Sequence, residues 1–311
     1  MNFKKILKIF FSSALAAVIY NKAVAIMANA CNILNKETGH DFLWDYGTVW
    51  YEKKGSGTPV VLLHELTSCS SGYEWSRLSE KLSEDHTVYI PDLPGCGRSD
   101  KPGISYSNFL YVKFLMHFLE ETVCEPATII TSGSSSSFAL LSTAFPQSLV
   151  KKIICINPSA PEGKTQALSL YGRCIKLLLE LPIAGTLFYN HCVSIQKIKE
   201  RFEKEYFCSS DSSLTEAVAA YHESAHKSLC FARKMYAAEI FNYCIMPVKH
   251  LISKDFVSVD IIFGANEEDA EYLKNAYLNL NDKIQASMIP NTAHLPQLEA
   301  PEALYADLLI D

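Results

Sequence analysis

Apolar residues in this chain fall into two alternating kinds of stretch. Short, nearly continuous runs occur at Pro59 to His64 (PVVLLH), Thr87 to Pro91 (TVYIP), Ala127 to Ile130 (ATII), Lys152 to Ile156 (KIICI), Val259 to Phe263 (VDIIF) and Ile284 to Ile289 (IQASMI). Each run predicts a strand, and PVVLLH, nearly continuous in its apolar residues, predicts one buried on both faces of a sheet. Gly47 to Lys53 alternates instead and predicts a half-exposed strand. Helical periodicity separates the runs, over Tyr73 to Ser83, Asn108 to Val123, Phe138 to Phe145 and Glu268 to Leu280, and Pro301 to Ile310 reads as a closing helix. Strands alternating with helices imply right-handed crossovers and a mainly parallel sheet with helices on both faces, an α/β fold.

The alternation stops after Asn157-Pro158. From Ala160 to about His250 the pattern is helical without a clear strand. A stretch this long is not a loop, so residues 159–249 are read as a helical cap inserted into a core of residues 46–158 and 250–311.

Residues 1–28 stand apart. Lys4, Lys5 and Lys8 precede an apolar stretch that continues to Ala28 with interruptions at Asn21 and Lys22. Two readings compete, a membrane anchor and a cleaved signal peptide. The uninterrupted apolar core is short for a span, but end lysines can snorkel, and no small-residue cleavage site follows directly. The anchor reading is preferred. Early lysines favour a cytoplasmic N-terminus and place the domain on the extracellular face.

Composition narrows the function classes. Of 311 residues, 49% are apolar and 20% charged, which is globular, and the net charge of −6 comes without a basic stripe, so nucleic acid is not an expected partner. The ten cysteines include no CxxC pair and no Cys/His metal spacing, so they read as buried reduced thiols. His222 and His226 are four apart on a predicted cap helix, but no third ligand accompanies them, and no metal or cofactor is expected.

The chemistry centres on Ala127 to Pro146, where a strand passes through very small residues into a helix. Strand, sharp turn and helix form the context of a nucleophile elbow, whose strained apex tolerates no bulk beside it. Gly133-Ser134-Ser135-Ser136-Ser137 reads as G-x-S-x-G with serine in last place. Two registers fit. One puts Ser135 at the apex, with Ser132 and Ser134 as fallbacks. The other, counted back from Ile156-Asn157-Pro158, puts Gly133 there and leaves no nucleophile.

Three further segments stand on the frame: Leu63-His64-Glu65 after one strand, DLPGCGRSDKP (Asp92 to Pro102) after the next, and IPNTAHLPQLE (Ile289 to Glu299) near the end. With the elbow they resemble the α/β-hydrolase superfamily from about Tyr46 to Ile310, and most closely its capped, membrane-anchored members from anaerobic Gram-positive bacteria. The resemblance implies a serine hydrolase for a carboxylic ester or similar small acyl compound. Ser135 would be the nucleophile, His294 the base, and Glu267, three residues after Gly264, the orienting acid, with Glu268 as its neighbour. The N–H groups of Leu66 and Ser136 would form the oxyanion hole. Thr131 to Ser137 contains no Asp, which argues against the aspartate-nucleophile class of this fold, the epoxide hydrolases and dehalogenases. Glu65 stands where the family has glycine, and a carboxylate there opposes a developing oxyanion unless it points away. The alternative is a hydrolase-like binding protein that is catalytically weak or inactive. Neither the substrate nor the oligomeric state is legible.

Overall fold

The computed structural model describes residues 3–34, 39–163, 169–208, 212–227, 231–252, 254, 257–308 and 310. Its strands are β1 (Gly39–Trp44), β2 (Gly47–Lys54), β3 (Thr58–Leu63), β4 (His86–Pro91), β5 (Ala127–Ser132), β6 (Val150–Ile156), β7 (Ser258–Gly264) and β8 (Gln285–Ile289). They form one sheet in the order β1-β2-β4-β3-β5-β6-β7-β8. β2 runs antiparallel to both neighbours, and every pair from β4 to β8 is parallel. The continuous apolar runs predict this. β5 is buried along its whole length, and β3 is buried after Thr58, because helices cover both faces. One apolar layer is built around Tyr111, Phe114, Phe118 and Phe138, and the layer on the other face around Trp75, Leu78, Ile130 and Leu304.

The helices are α1 (Phe3–Ala28), α2 (Leu78–Leu82), α3 (Asn108–Phe118), α4 (Ser135–Ser142), α5 (Leu170–Glu180), α6 (Ala184–Cys192), α7 (Ile195–Arg201), α8 (Ser212–His226), α9 (Ala232–Ile240), α10 (Lys249–Ile252), α11 (Ala270–Leu278), α12 (Pro296–Glu299) and α13 (Pro301–Asp307). The described part of the cap is helical, from α5 to α9, around Leu179, Tyr189, Phe202 and Tyr221. This cap core also contains Leu295 and Leu298 from the segment after His294, so cap and sheet share one apolar seam.

Three expectations shift in detail. The sheet begins at Gly39 rather than near Tyr46, because the GHDFLW segment returns as a hairpin on β2. Tyr73 to Ser83 is not one helix. Ser71 caps a single tight turn at Gly72–Trp75, the Gly72 N–H donates to Asp92 Oδ1 (2.7 Å), and α2 starts only at Leu78. The helix after β5 starts at Ser135, earlier than the apolar residues alone indicate.

The DLPGCGRSDKP segment folds as a mostly buried turn cluster after β4. Arg98 Nε and Nη2 donate to the two oxygens of Asp92 at 2.7 and 2.9 Å, and the guanidinium lies 3.3 Å over the Trp50 ring. Burial would raise the Asp92 pKa, but the Arg98 charge and hydrogen bonds outweigh it and hold the carboxyl at about 2. The cluster fixes the β3 end as well: the Leu93 N–H donates to His64 Nε2 at 2.8 Å.

Candidate active site

β5 ends at Ser132 and α4 begins at Ser135, so the chain reverses direction across two residues. At this junction Gly133 adopts φ +56°, the left-handed region. A side chain there is strained unless the surroundings hold it, and glycine adopts it without that cost. The strained apex of the elbow is therefore Gly133, the second of the two registers.

Ser135 is displaced accordingly. It lies in the first turn of α4, fully buried, and its hydroxyl donates to the His64 carbonyl oxygen. The expected pairing of Ser135 with His294 is not formed, because Ser135 follows the apex by two residues and points back under the β3 end. Ser136 is shifted in the same way. Its N–H donates to the Gly133 carbonyl at 3.2 Å and its hydroxyl lies 2.8 Å from that of Thr131, so neither reaches the cleft. With Gly133 at the apex, the N–H following it is that of Ser134. Leu66 and Ser134 both line the cleft.

His294 and Glu267 do come together. Glu267 follows β7 by three residues, and its Oε1 lies 2.9 Å from His294 Nδ1. The other imidazole nitrogen, Nε2, lies 3.2 Å from Glu65 Oε2. Glu65 extends from the end of β3 across the bare apex: a Cβ added to Gly133 would stand 2.7 Å from Glu65 Oε1. The carboxylate occupies the space that an apex side chain would fill. The site thus contains a carboxylate–imidazole–carboxylate row, Glu65–His294–Glu267, instead of a hydroxyl–imidazole–carboxylate row.

Electrostatics follow from this row. Burial would lower the His294 pKa, but the charge of Glu65 and hydrogen bonds to Glu267 and Glu65 outweigh it and raise the pKa well above 6.5. Burial would raise the Glu65 pKa, but the charge and hydrogen bond of His294 bring it below the usual 4.5. Both shifts favour the charged pair, Glu65 carboxylate facing His294 imidazolium.

The surroundings hold both partners in place. The Glu65 N–H donates to Glu74 Oε2 (3.1 Å), and Tyr221 of the cap donates to Glu74 Oε1 (2.8 Å). Burial, then the nearby charge of Glu65, pushes the Glu74 pKa up to about 7. Asn157, in the left-handed region at φ 45°, spans three segments. Its amide donates to the carbonyls of Ala293 (3.0 Å) and His294 (2.8 Å), and its Oδ1 accepts from the Gly264 N–H (2.9 Å). It clamps the His294 loop to the ends of β6 and β7. Tyr206 of the cap stacks on the imidazole, with ring centroids 5.1 Å apart and planes inclined by 18°. Glu74, Asn157 and Tyr206 carried no motif in the sequence, since each acts through a partner distant along the chain.

Glu65, Gly133, His294 and Glu267 open into a cleft of about 830 Å³ between sheet and cap, with Arg201 and Glu239 on its cap side. Arg201 Nη1 lies 3.2 Å from Glu239 Oε1. The volume is that of a small-molecule site. His222 and His226 lie elsewhere in the cap, with ring centroids 4.6 Å apart, and among the described residues no group of three His, Cys, Asp or Glu side chains is arranged to hold a metal.

The family profile described as "Alpha/beta hydrolase family" matches residues 60–308, most of the chain. The chain belongs to the alpha/beta hydrolase family. Over 65 residues, 21% of this chain, it is 42% identical to a soluble epoxide hydrolase of Corynebacterium sp. strain C12, of which the match covers 22%. It is 29% identical over 163 residues to a cis-3-alkyl-4-alkyloxetan-2-one decarboxylase of Shewanella oneidensis, covering 50% of this chain and 51% of that one. The chain spans about half or less of the length of the curated relatives it matches. Among solved structures, a membrane phospholipase A described as a bacterial virulence factor shares the fold at TM-score 0.64 and 17% identity, over 98% of this chain and 96% of that one.

Proposed function

We propose that this hydrolase uses the Glu65 carboxylate as its nucleophile, with His294 as acid and then base and Glu267 orienting the imidazole. The observation that carries the reading is the position of Glu65, over the side-chain-free apex and 3.2 Å from His294 Nε2. A carboxylate attacks a carbon bearing an oxygen leaving group to give an ester. We assign the substrate to strained cyclic ethers or lactones. The partial likeness to an epoxide hydrolase and to an enzyme named for an oxetan-2-one supports that class.

The proton and charge accounting closes with these groups alone. In the first step a Glu65 oxygen bonds to the ring carbon and the ring C–O bond breaks. The departing oxygen takes the Nε2 proton, which leaves neutral His294 and a glutamyl ester. Esterification removes the charge that held the imidazole protonated, so His294 becomes a base. In the second step it takes a proton from water, and the hydroxide attacks the ester carbonyl. The N–H groups of Leu66 and Ser134, at the mouth of the elbow, are the donors for that oxyanion. The C–O bond to Glu65 breaks, the alcohol leaves with its proton, and Glu65 carboxylate and His294 imidazolium are restored. A carboxylic ester cleaved by Ser135 would instead require that hydroxyl to leave the His64 carbonyl and cross to the imidazole, and no contact of Ser135 favours it.

The test is repeated turnover of styrene oxide in ¹⁸O-water, followed by mass spectrometry of the Glu65 peptide. The reading requires ¹⁸O in Glu65, since water attacks the ester carbonyl. Label confined to the diol, with Glu65 unlabelled, sinks it. So does a fluorophosphonate adduct on a serine of the elbow.

We further propose that α1 anchors the protein in a membrane with the catalytic domain on the extracellular face. The helix is long and apolar enough to cross one, and Lys4, Lys5 and Lys8 favour a cytoplasmic N-terminus.

A further inference from the structure

α5 has apolar side chains on two opposite faces. On one face, Gly172 and Leu179 are buried against the cap. Opposite them, at helical spacing, Leu170, Cys174, Leu177 and Leu181 form a stripe turned outward, with Leu170 80%, Leu177 68% and Leu181 51% exposed. Arg173, Lys176 and Glu180 run along one edge of this stripe. An apolar stripe with a charged edge suits a helix lying in the plane of a bilayer surface.

The position of α1 says which surface covers it. Phe3 to Tyr20 extends about 27 Å at helical rise, close to the thickness of a bilayer core. The next residue, Asn21, is tied to the cap: its amide reaches the Ile183 carbonyl at 3.4 Å, and Asn190 of α6 donates to its Oδ1 at 2.9 Å. Ile183, itself 37% exposed, is at the corner between α5 and α6, next to Leu181. The cap is therefore fastened to α1 at Asn21, where the apolar stretch is first interrupted, and the α5 stripe begins at that level. Farther along, Lys176 bonds the Tyr243 hydroxyl (3.2 Å), whose neighbours Asn242 and Cys244 line the cleft.

We propose that the outer face of α5 is a second membrane contact, seated in the surface of the bilayer that α1 enters, with the cleft mouth held beside the lipid. The inference rests on the anchor reading of α1. Full-length protein is reconstituted in vesicles of equal parts phosphatidylcholine and phosphatidylglycerol, with and without brominated acyl chains. Tryptophan is placed at Leu177→Trp, at Leu15→Trp in α1, or at Glu84→Trp, an exposed position just before β4, at the end of the parallel strands opposite the cleft. Expected is loss of most of the added emission for L15W and L177W, and none for E84W. Quenching of L15W without L177W overturns the proposal and leaves the anchor standing. Loss of quenching at both removes the anchor and the proposal together. An L177W shielded from brominated lipid and from aqueous acrylamide alike means that another protein copy covers the face, and that also overturns it.

Discussion

Replacing Glu65 with glutamine tests the electrostatic core of the site. Glutamine keeps the shape and a hydrogen-bond acceptor but deletes the charge 3.2 Å from His294 Nε2. At that distance a unit charge pair is worth about 5 kcal/mol at an effective dielectric of about 20, and about 1 kcal/mol in bulk water. The two side chains keep 15% and 13% of their surface exposed, which places the pair between these limits. The charge pair is therefore worth about 3 kcal/mol to the protonated imidazole. Glu267 remains in place at 2.9 Å and retains part of the elevation. The His294 pKa in Glu65→Gln is therefore expected below that of the wild type. The sign carries over to stability. A folded-state pKa above the unfolded value contributes stability that is complete below about 6.5 and is lost as pH rises through the folded pKa. In the variant that loss moves to lower pH and shrinks. The assay is an imidazole titration by NMR with labelled histidine, His294 being assigned from the signal missing in His294→Gln. A His294 pKa that stays within about half a unit of wild type would refute the ion pair as the cause.

Three other outcomes follow from the same geometry. The carboxylate mechanism starts from imidazolium, so styrene oxide turnover should hold across neutral pH, falling in acid below the usual carboxylate range as Glu65 protonates and in alkali well above pH 6.5 as His294 does the reverse; a rate that instead climbs through the His294 pKa would indicate a serine nucleophile deprotonated by free imidazole. Ser135→Ala should cost about 1–2 kcal/mol in urea unfolding, because the buried His64 carbonyl loses its hydroxyl donor, with turnover nearly unchanged; abolished turnover in a folded variant contradicts the site as described. Gly133→Ser should destabilise by about 1–2 kcal/mol from its left-handed backbone and its clash with Glu65, whereas Gly133→Ser with Glu65→Gly removes the clash and should make a serine that fluorophosphonate labels; labelling of neither variant counts against Gly133 as the apex.

Much of the fold was legible because its cause is local. Buried parallel strands must be apolar on both faces, and PVVLLH, ATII and VDIIF say so directly. The helical cap followed from the length over which no strand pattern occurs. The His294–Glu267 pair was legible by chain order and by distance from Gly264, and the coordinates bring the two side chains to 2.9 Å. The edge strand β1 was missed because GHDFLW alternates only weakly and becomes a strand by pairing with β2.

The elbow shows where sequence reading stops. A glycine followed by four serines fits two registers, and no local preference separates them. Only the parallel pairing of Thr131 and Ser132 with Cys155 and Ile156 decides how far β5 extends and hence which residue turns the corner. Glu65 and Gly133 looked like two separate departures, a misplaced carboxylate and a missing nucleophile. In three dimensions they are one arrangement, because β3 and β5 are neighbours and the first fills the space the second leaves open. The sequence by itself indicated the parallel strands, the long helical stretch between two of them, and the places of His294 and Glu267 just after strand ends, since each follows from periodicity or from position beside a strand. Tertiary structure alone decided which oxygen faces that histidine, because the contact joins residues 229 positions apart, and its geometry depends on strand register rather than on residue type.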